Sequence, residues 1–187
     1  MLEASYLANN LLIAMPGLND PNFSRSVTFL CQHNADGALG IVINRLSDLK
    51  LNDLLEQMQI STALPDIANA PVFLGGPVQT DRGFVLHEPG GEWHSTVQVS
   101  PEVSLTTSRD VLEAMAIGEG PRRSLVALGY AGWAAGQLEQ EMLANSWLSV
   151  AAAAEVLFHA PIDARWGRAV ALAGIDPGRL SSVSGHA

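Results

Sequence analysis

The amino-acid sequence predicts an α+β fold around a mixed, mainly antiparallel sheet. Three observations carry this. Strand-like runs cluster in the first half and helical periodicity in the second, without the alternating βαβα order of a doubly wound fold. Asn34-Ala35-Asp36-Gly37 separates two apolar runs and is a hairpin signal. Those runs (Val27, Phe29, Leu30; then Leu39, Ile41, Val42, Ile43) are apolar almost without a break, the pattern of strands covered on both faces, so helices must pack over the sheet.

In chain order, Leu11–Ala14 reads as a short strand stopped by Met15-Pro16-Gly17, and Asp20-Pro21 as a turn. Ser26–His33 and Ala38–Asn44 form the hairpin. A helix is expected over Leu51–Gln59, where Leu51, Leu54, Leu55 and Met58 recur at helical spacing. Pro71–Leu74 and Gly83–His87 read as a second hairpin joined by a long Gly75–Arg82 connection, of the length that is often functional. Trp93–Val99 is another strand. Helix Ser108–Ile117 follows, with Thr107 and Asp110 spaced as a capping box and Gly118-Glu119-Gly120-Pro121 as the stop. Ser124–Leu128 reads as a strand, Gln137–Asn145 as a helix, and Gly129–Gly136 as the turn between them. Trp147–Val150 is a short strand, and the Ala-rich segment to His159 is helical. Asp163 is expected to cap a last helix with Trp166, Val170 and Ala173 on one face and Gly174 at its end. The last dozen residues, rich in Ser and Gly, should be loosely held.

The 187 residues fit one domain, and 48% hydrophobic against 16% charged residues is the composition of a folded globular protein. With 19 acidic and 10 basic residues the net charge is −9, and the basic residues are scattered along the sequence, so no direct nucleic-acid binding is expected. One cysteine, Cys31, excludes an intramolecular disulfide and suits a reducing compartment. No Lys or Arg precedes Arg25, the apolar run Leu11–Met15 is five residues long, and no run approaches transmembrane length. The bacterial cytoplasm is the expected location, with no membrane partner.

Cys31 and His33 are placed on one side of a strand with Val27 and Phe29, and with His87 and His94 they have no metal-ligand spacing; no metal and no cofactor is expected. The strand-to-helix turn Gly129-Tyr130-Ala131-Gly132-Trp133 lacks the serine of a nucleophile elbow. It could present backbone N–H groups to an anion, but Glu139 and Glu141 oppose that. Tyr130 and Trp133 either pack in the core or, with Gln137, face a groove; the residues leave both readings open.

Read together, Ala14-Met15-Pro16, Asp20 to Val27, Cys31-Gln32-His33, Gly37 to Gly40 with Asn44, Gly75-Gly76-Pro77-Val78, Gly83 to His87, Gly129 to Glu139, Asn145-Ser146-Trp147-Leu148 and Gly185-His186-Ala187 resemble the YqgE/AlgH family of bacterial proteins. Leu46 stands where that family often has Pro, and Ala134-Ala135 where it often has Gly or Pro. The resemblance implies a compact α+β fold, a bent or bifurcated sheet with a small barrel-like core surrounded by helices. It also carries a regulatory, transcription-related label without a mechanism. The expected function is a regulatory or binding protein that holds a small ligand or a protein segment in a cleft framed by Arg25, Asn44, Gly75, Gly76, Pro77, His87, Tyr130, Trp133 and Gln137. The alternative is an enzyme whose general acid/base comes from His87, Asp81 or Glu139.

Overall fold

The structure, a computed structural model, describes residues 6–16 and 23–176. The Asp20-Pro21 turn and residues 177–187 lie outside the described residues. Strands β1 (Asn10–Ala14), β2 (Val27–Asn34) and β3 (Gly37–Val42) run antiparallel in chain order, and the Ala35-Asp36 connection closes the expected hairpin. The sheet continues from β3 to β9 (Ser124–Ala134), β6 (Val78–His87), β8 (Ser104–Thr106) and β7 (Thr96–Gln98), with β10 (Trp147–Ala151) beside β1. β4 (Leu46–Lys50) pairs with β5 (Pro71–Leu74), which joins β9 in parallel. The sheet curls into a half-barrel, mainly antiparallel, with helices packed over it, as expected for the α+β class.

Side-chain alternation builds three cores from this one sheet. Leu11, Ile13, Phe29, Ile41, Phe84 and Leu86 share one face, covered by Val156 and Leu157 of α5 (Ala154–Phe158) and by Trp166 and Val170 of α6 (Arg165–Leu172). At one end of the opposite face, Val72, Val85 and Val126 meet Leu51, Leu54 and Leu55 of α1 (Leu51–Gln57) and Val111 and Leu112 of α3 (Arg109–Ala116). At the other end, Leu12, Ala14, Leu30, Ala131 and Trp133 meet Trp147 and Leu138 of α4 (Gln137–Leu143). The buried Arg165 guanidinium ties α6 to the sheet through the Ile43 and Ala160 carbonyls and lies over the Phe73 ring.

Two irregularities reverse the alternation. Cys31 is an extra residue between the Leu30–Gly40 and Gln32–Leu39 pairs, a β-bulge. Cys31 therefore joins the core of Val27 and Phe29, whereas His33 turns to α4, where its Nε2 lies 3.3 Å from Glu139 Oε2; the two do not share a face as expected. Leu7 N–H donates to His33 Nδ1 at 3.0 Å, which fixes the ring's orientation. Burial among apolar groups pushes the Cys31 thiol far above its ordinary pKa.

Gly129 is the second reversal. Leu125 and Ala127 face the α5–α6 core, and after Gly129 (φ 78°) Ala131 and Trp133 face the opposite side. The Gly129–Gly136 stretch is thus no strand-to-helix turn: residues through Ala134 belong to β9, and only Ala135-Gly136 connect to α4.

Other expectations are corrected by long-range pairing. Pro71–Leu74 and Gly83–His87 are not hairpin partners, because β9 lies between β5 and β6. The long connection shrinks to Gly75-Gly76-Pro77, since β6 starts at Val78 and residues 79–82 bulge opposite Gly129. The Trp93–Val99 strand is confined to Thr96–Gln98, while β4, β8 and the short helix α2 (Pro65–Ala68) had no clear signal. Ser108, not Thr107, precedes α3, and Asp110 Oδ1 accepts from its hydroxyl. Asp163 lies in a 3-10 turn ahead of α6 rather than at its cap.

Candidate functional site

A groove of about 420 Å³ opens at the end of the half-barrel, over the β2–β3 hairpin and the second half of β9. The Cys31 bulge aims Gln32 at it, and the Gly129 reversal aims Tyr130 and exposes Gly132 there; Leu39 and Val78 complete the walls. Asn34 and Asp36 stand at the hairpin tip, where Asn34 Oδ1 accepts from Asp36 N–H at 2.8 Å. The Tyr130 ring is held edge-on to Phe84 at 5.6 Å, so this wall is anchored in the core.

Trp133 lines the groove with its backbone region but sends its ring to the other face, where it is 6% exposed. There it meets Trp147 at 5.9 Å and Phe23 at 6.3 Å. Both indole N–H groups donate to Glu141 Oε1 at 2.9 Å, and Gln137 Nε2 donates to Oε2 at 2.8 Å. Gln137 Oε1 accepts from Ala134 N–H. Gln137 thus braces the start of α4 and is no groove residue; Glu141, read from the sequence only as a charge opposing an anion, is the hub.

The remaining expected site residues do not join this groove. Asn44 is a bracket: its Oδ1 accepts from Val27 N–H at 2.9 Å and its Nδ2 donates to Arg25 C=O at 3.1 Å. Arg25, at φ 55°, lays its guanidinium 4.3 Å from the Trp166 ring centre. Gly76 and Pro77 line a separate pocket of about 180 Å³ with Arg45 and Thr80, and Gly75 is buried between Leu128 C=O and Val42 N–H. His87, Arg25 and Trp133 therefore occupy no common concave surface. The expected cleft already contained Tyr130 and Trp133, with Val78 and Gly132 inside the Gly75–Val78 loop and the Tyr130–Gln137 stretch that framed it; Gln32 and Leu39 were missed, because the bulge that turns Gln32 to this side is invisible to simple alternation.

A profile of the AlgH-like family matches residues 11–178. The chain belongs to the AlgH-like family. It is 56% identical to a UPF0301 protein of Methylococcus capsulatus over 98% of each chain, and 56% identical to one of Thioalkalivibrio sulfidiphilus over the full length of both. Its fold is similar to the solution structure of the AlgH protein from Pseudomonas aeruginosa, with TM-score 0.82, 46% identity and coverage of 95% of this chain and 94% of that one. A crystal structure of a Corynebacterium diphtheriae protein shares the fold at TM-score 0.69 and 19% identity, over 87% of this chain and 84% of that one.

In this AlgH-like chain the groups considered for acid/base work lie apart. Asp81 borders a pocket of about 280 Å³ between α1, α3 and β6, Glu139 faces His33, and His87 is buried beneath Trp93. His87 Nδ1–H donates to Glu88 C=O at 2.8 Å, so Nε2 accepts from the Thr106 hydroxyl at 2.7 Å. Thr106 borders the Asp81 pocket and so links that imidazole to a cavity. Among the described residues no three His, Cys, Asp or Glu are grouped to hold a metal ion, and no helix is long and apolar enough to cross a membrane.

Burial pulls the His87 pKa below its ordinary value, and the hydrogen bond to Glu88 C=O offsets part of that. The unfolded chain then takes up this proton first as pH falls. The stability contributed by neutral His87 is complete above about pH 6.5, falls below it, and levels off once pH passes the folded value. The urea midpoint is expected to decrease from pH 7 to pH 5 more steeply in wild type than in His87→Asn; equal slopes would remove His87 from this role.

Proposed function

We propose that this protein is a regulatory binding protein of the bacterial cytoplasm, which holds a small ligand or a protein segment in the groove between the β2–β3 hairpin, Val78 and Tyr130. The observation that carries this reading is the groove itself. Its volume of about 420 Å³ is within the usual range of ligand sites, and its walls are preformed by core-anchored Tyr130 and by two strand irregularities. The regulatory label of the family fits a protein that works through a held partner. Acting on duplex DNA directly would require the basic residues to outweigh a net charge of −9.

The test is a metabolite and fragment screen read by amide shifts of isotope-labelled protein. Bound compounds are expected to move Gln32, Leu39, Tyr130 and Gly132, and Gly132→Val, which fills the groove, to abolish the shifts. Compounds gathering instead around Asp81 and Thr106 would favour the enzyme reading. Salt-dependent shifts with duplex DNA at about 0.1 M salt, well below the usual non-specific range of roughly 10⁻⁴ to 10⁻⁶ M, would overturn the proposal.

A further inference from the structure

On the groove reading above, we infer its occupant: an extended peptide segment carrying a basic residue, whose main chain adds to the open edge of β9 at Gly132. β9 has β3 on one side along residues 131–134, and the ladder on its other side ends where Tyr130 meets Val78. In a strand, the N–H and C=O of one residue point to the same side and those of its neighbours to the other. The Trp133 carbonyl is aimed at β3, since a Cβ on Gly37 would sit 2.3 Å from it. Ala134 N–H is aimed away from β3, at Gln137 Oε1 2.9 Å away. Gly132 has the parity of Ala134, so its N–H and C=O turn away from β3, to a side where no strand pairs with it among the described residues.

Gly132 is exposed and lines the groove. A Cβ there would meet only the Tyr130 ring, at 3.2 Å and beyond, and Val78 at 4.0 Å, so no backbone contact of the fold requires glycine; what its missing side chain leaves open is the approach to the main chain. An open edge with both main-chain groups available is what an extended peptide pairs with. Gln32 offers a side-chain amide and Tyr130 an apolar wall beside it. Of the ten residues lining the groove Asp36 alone is charged; it stands exposed at the hairpin tip of a chain with net charge −9. A Lys or Arg is the complementary group, and an acidic segment is repelled.

A random-peptide phage library panned on wild-type protein, after depletion on folded Gly132→Val, tests this, with Gly132→Ala as the milder second variant. Selected peptides are expected to contain more Lys and Arg than Asp and Glu, and to move the Gly132 amide resonance. N-methylation at one peptide position should weaken binding about tenfold, the worth of one main-chain hydrogen bond, and Asp36→Asn should weaken it severalfold. Peptides that move Gln32, Leu39 and Tyr130 but leave the Gly132 amide in place, or that tolerate N-methylation everywhere, would overturn strand addition while keeping the groove as a binding site. Failure to select any peptide that Gly132→Val does not also capture would overturn the peptide itself, and the small-molecule screen then judges the groove independently.

Discussion

Alanine at Gly129 is expected to cost at least about 4 kcal/mol or to abolish cooperative unfolding. Two effects add. The residue sits at φ 78°, where an L side chain is strained by about 1–2 kcal/mol. Its Cβ would also lie 2.4 Å from the Gly76 carbonyl oxygen, and a Cβ on Gly76 would lie 2.0 Å from the Tyr130 carbonyl carbon. These are backbone atoms on both sides, so neither can yield as a side chain would. Gly136→Ala separates the two effects: φ is 75° there, but nothing lies within 4 Å of the added carbon, so only about 1–2 kcal/mol should be lost. Urea unfolding followed by far-ultraviolet circular dichroism measures both, and equal midpoints for the two variants would refute the close-approach argument.

Trp133→Ala is expected to cost about 3–5 kcal/mol. The ring is 6% exposed and packs on Trp147 and Phe23, so its removal leaves a cavity that α4 cannot close without moving. Glu141 Oε1 also loses one of its two indole donors. Trp133→Phe keeps most of the volume and should lose less, about 1–3 kcal/mol, mainly through that hydrogen bond. A Trp133→Ala midpoint equal to wild type would show that the Trp133–Trp147–Phe23 cluster contributes nothing to folding. The groove mouth should tell the same story from the other side: Ala131 and Trp133 hold β9 down, and Tyr130 and Gly132 face outward because of it.

The elements legible in the sequence were those decided within a few residues of themselves. The β2–β3 hairpin follows from Asn34 to Gly37, and α1 from the spacing of Leu51, Leu54 and Leu55, all three of which are buried as that spacing required. Helical spacing also placed Trp166 and Val170 on one face, and both are buried, whereas for Tyr130 and Trp133 the residues left core and groove open.

What escaped was decided by partners far along the chain. Gly129 and Gly132 are locally the same residue and both suggest a turn. Gly129 instead accommodates the Gly76 backbone, and Gly132 leaves one edge of a continuous strand open. The Cys31 bulge exists because Leu30 and Gln32 must meet Gly40 and Leu39, a register no property of Cys31 announces. By itself the sequence determined the α+β class, the local hairpin and helices, the acidic surface and the family, since propensity, periodicity, charge and motif order are properties of neighbouring or ordered residues. Only the tertiary structure decided that β9 separates β5 from β6, that the nine expected site residues disperse over several surfaces, and that Gln32, Tyr130 and Gly132 converge on one groove. In a half-barrel the facing of each side chain is set by register with strands tens of residues away, and a single extra or left-handed residue reverses it.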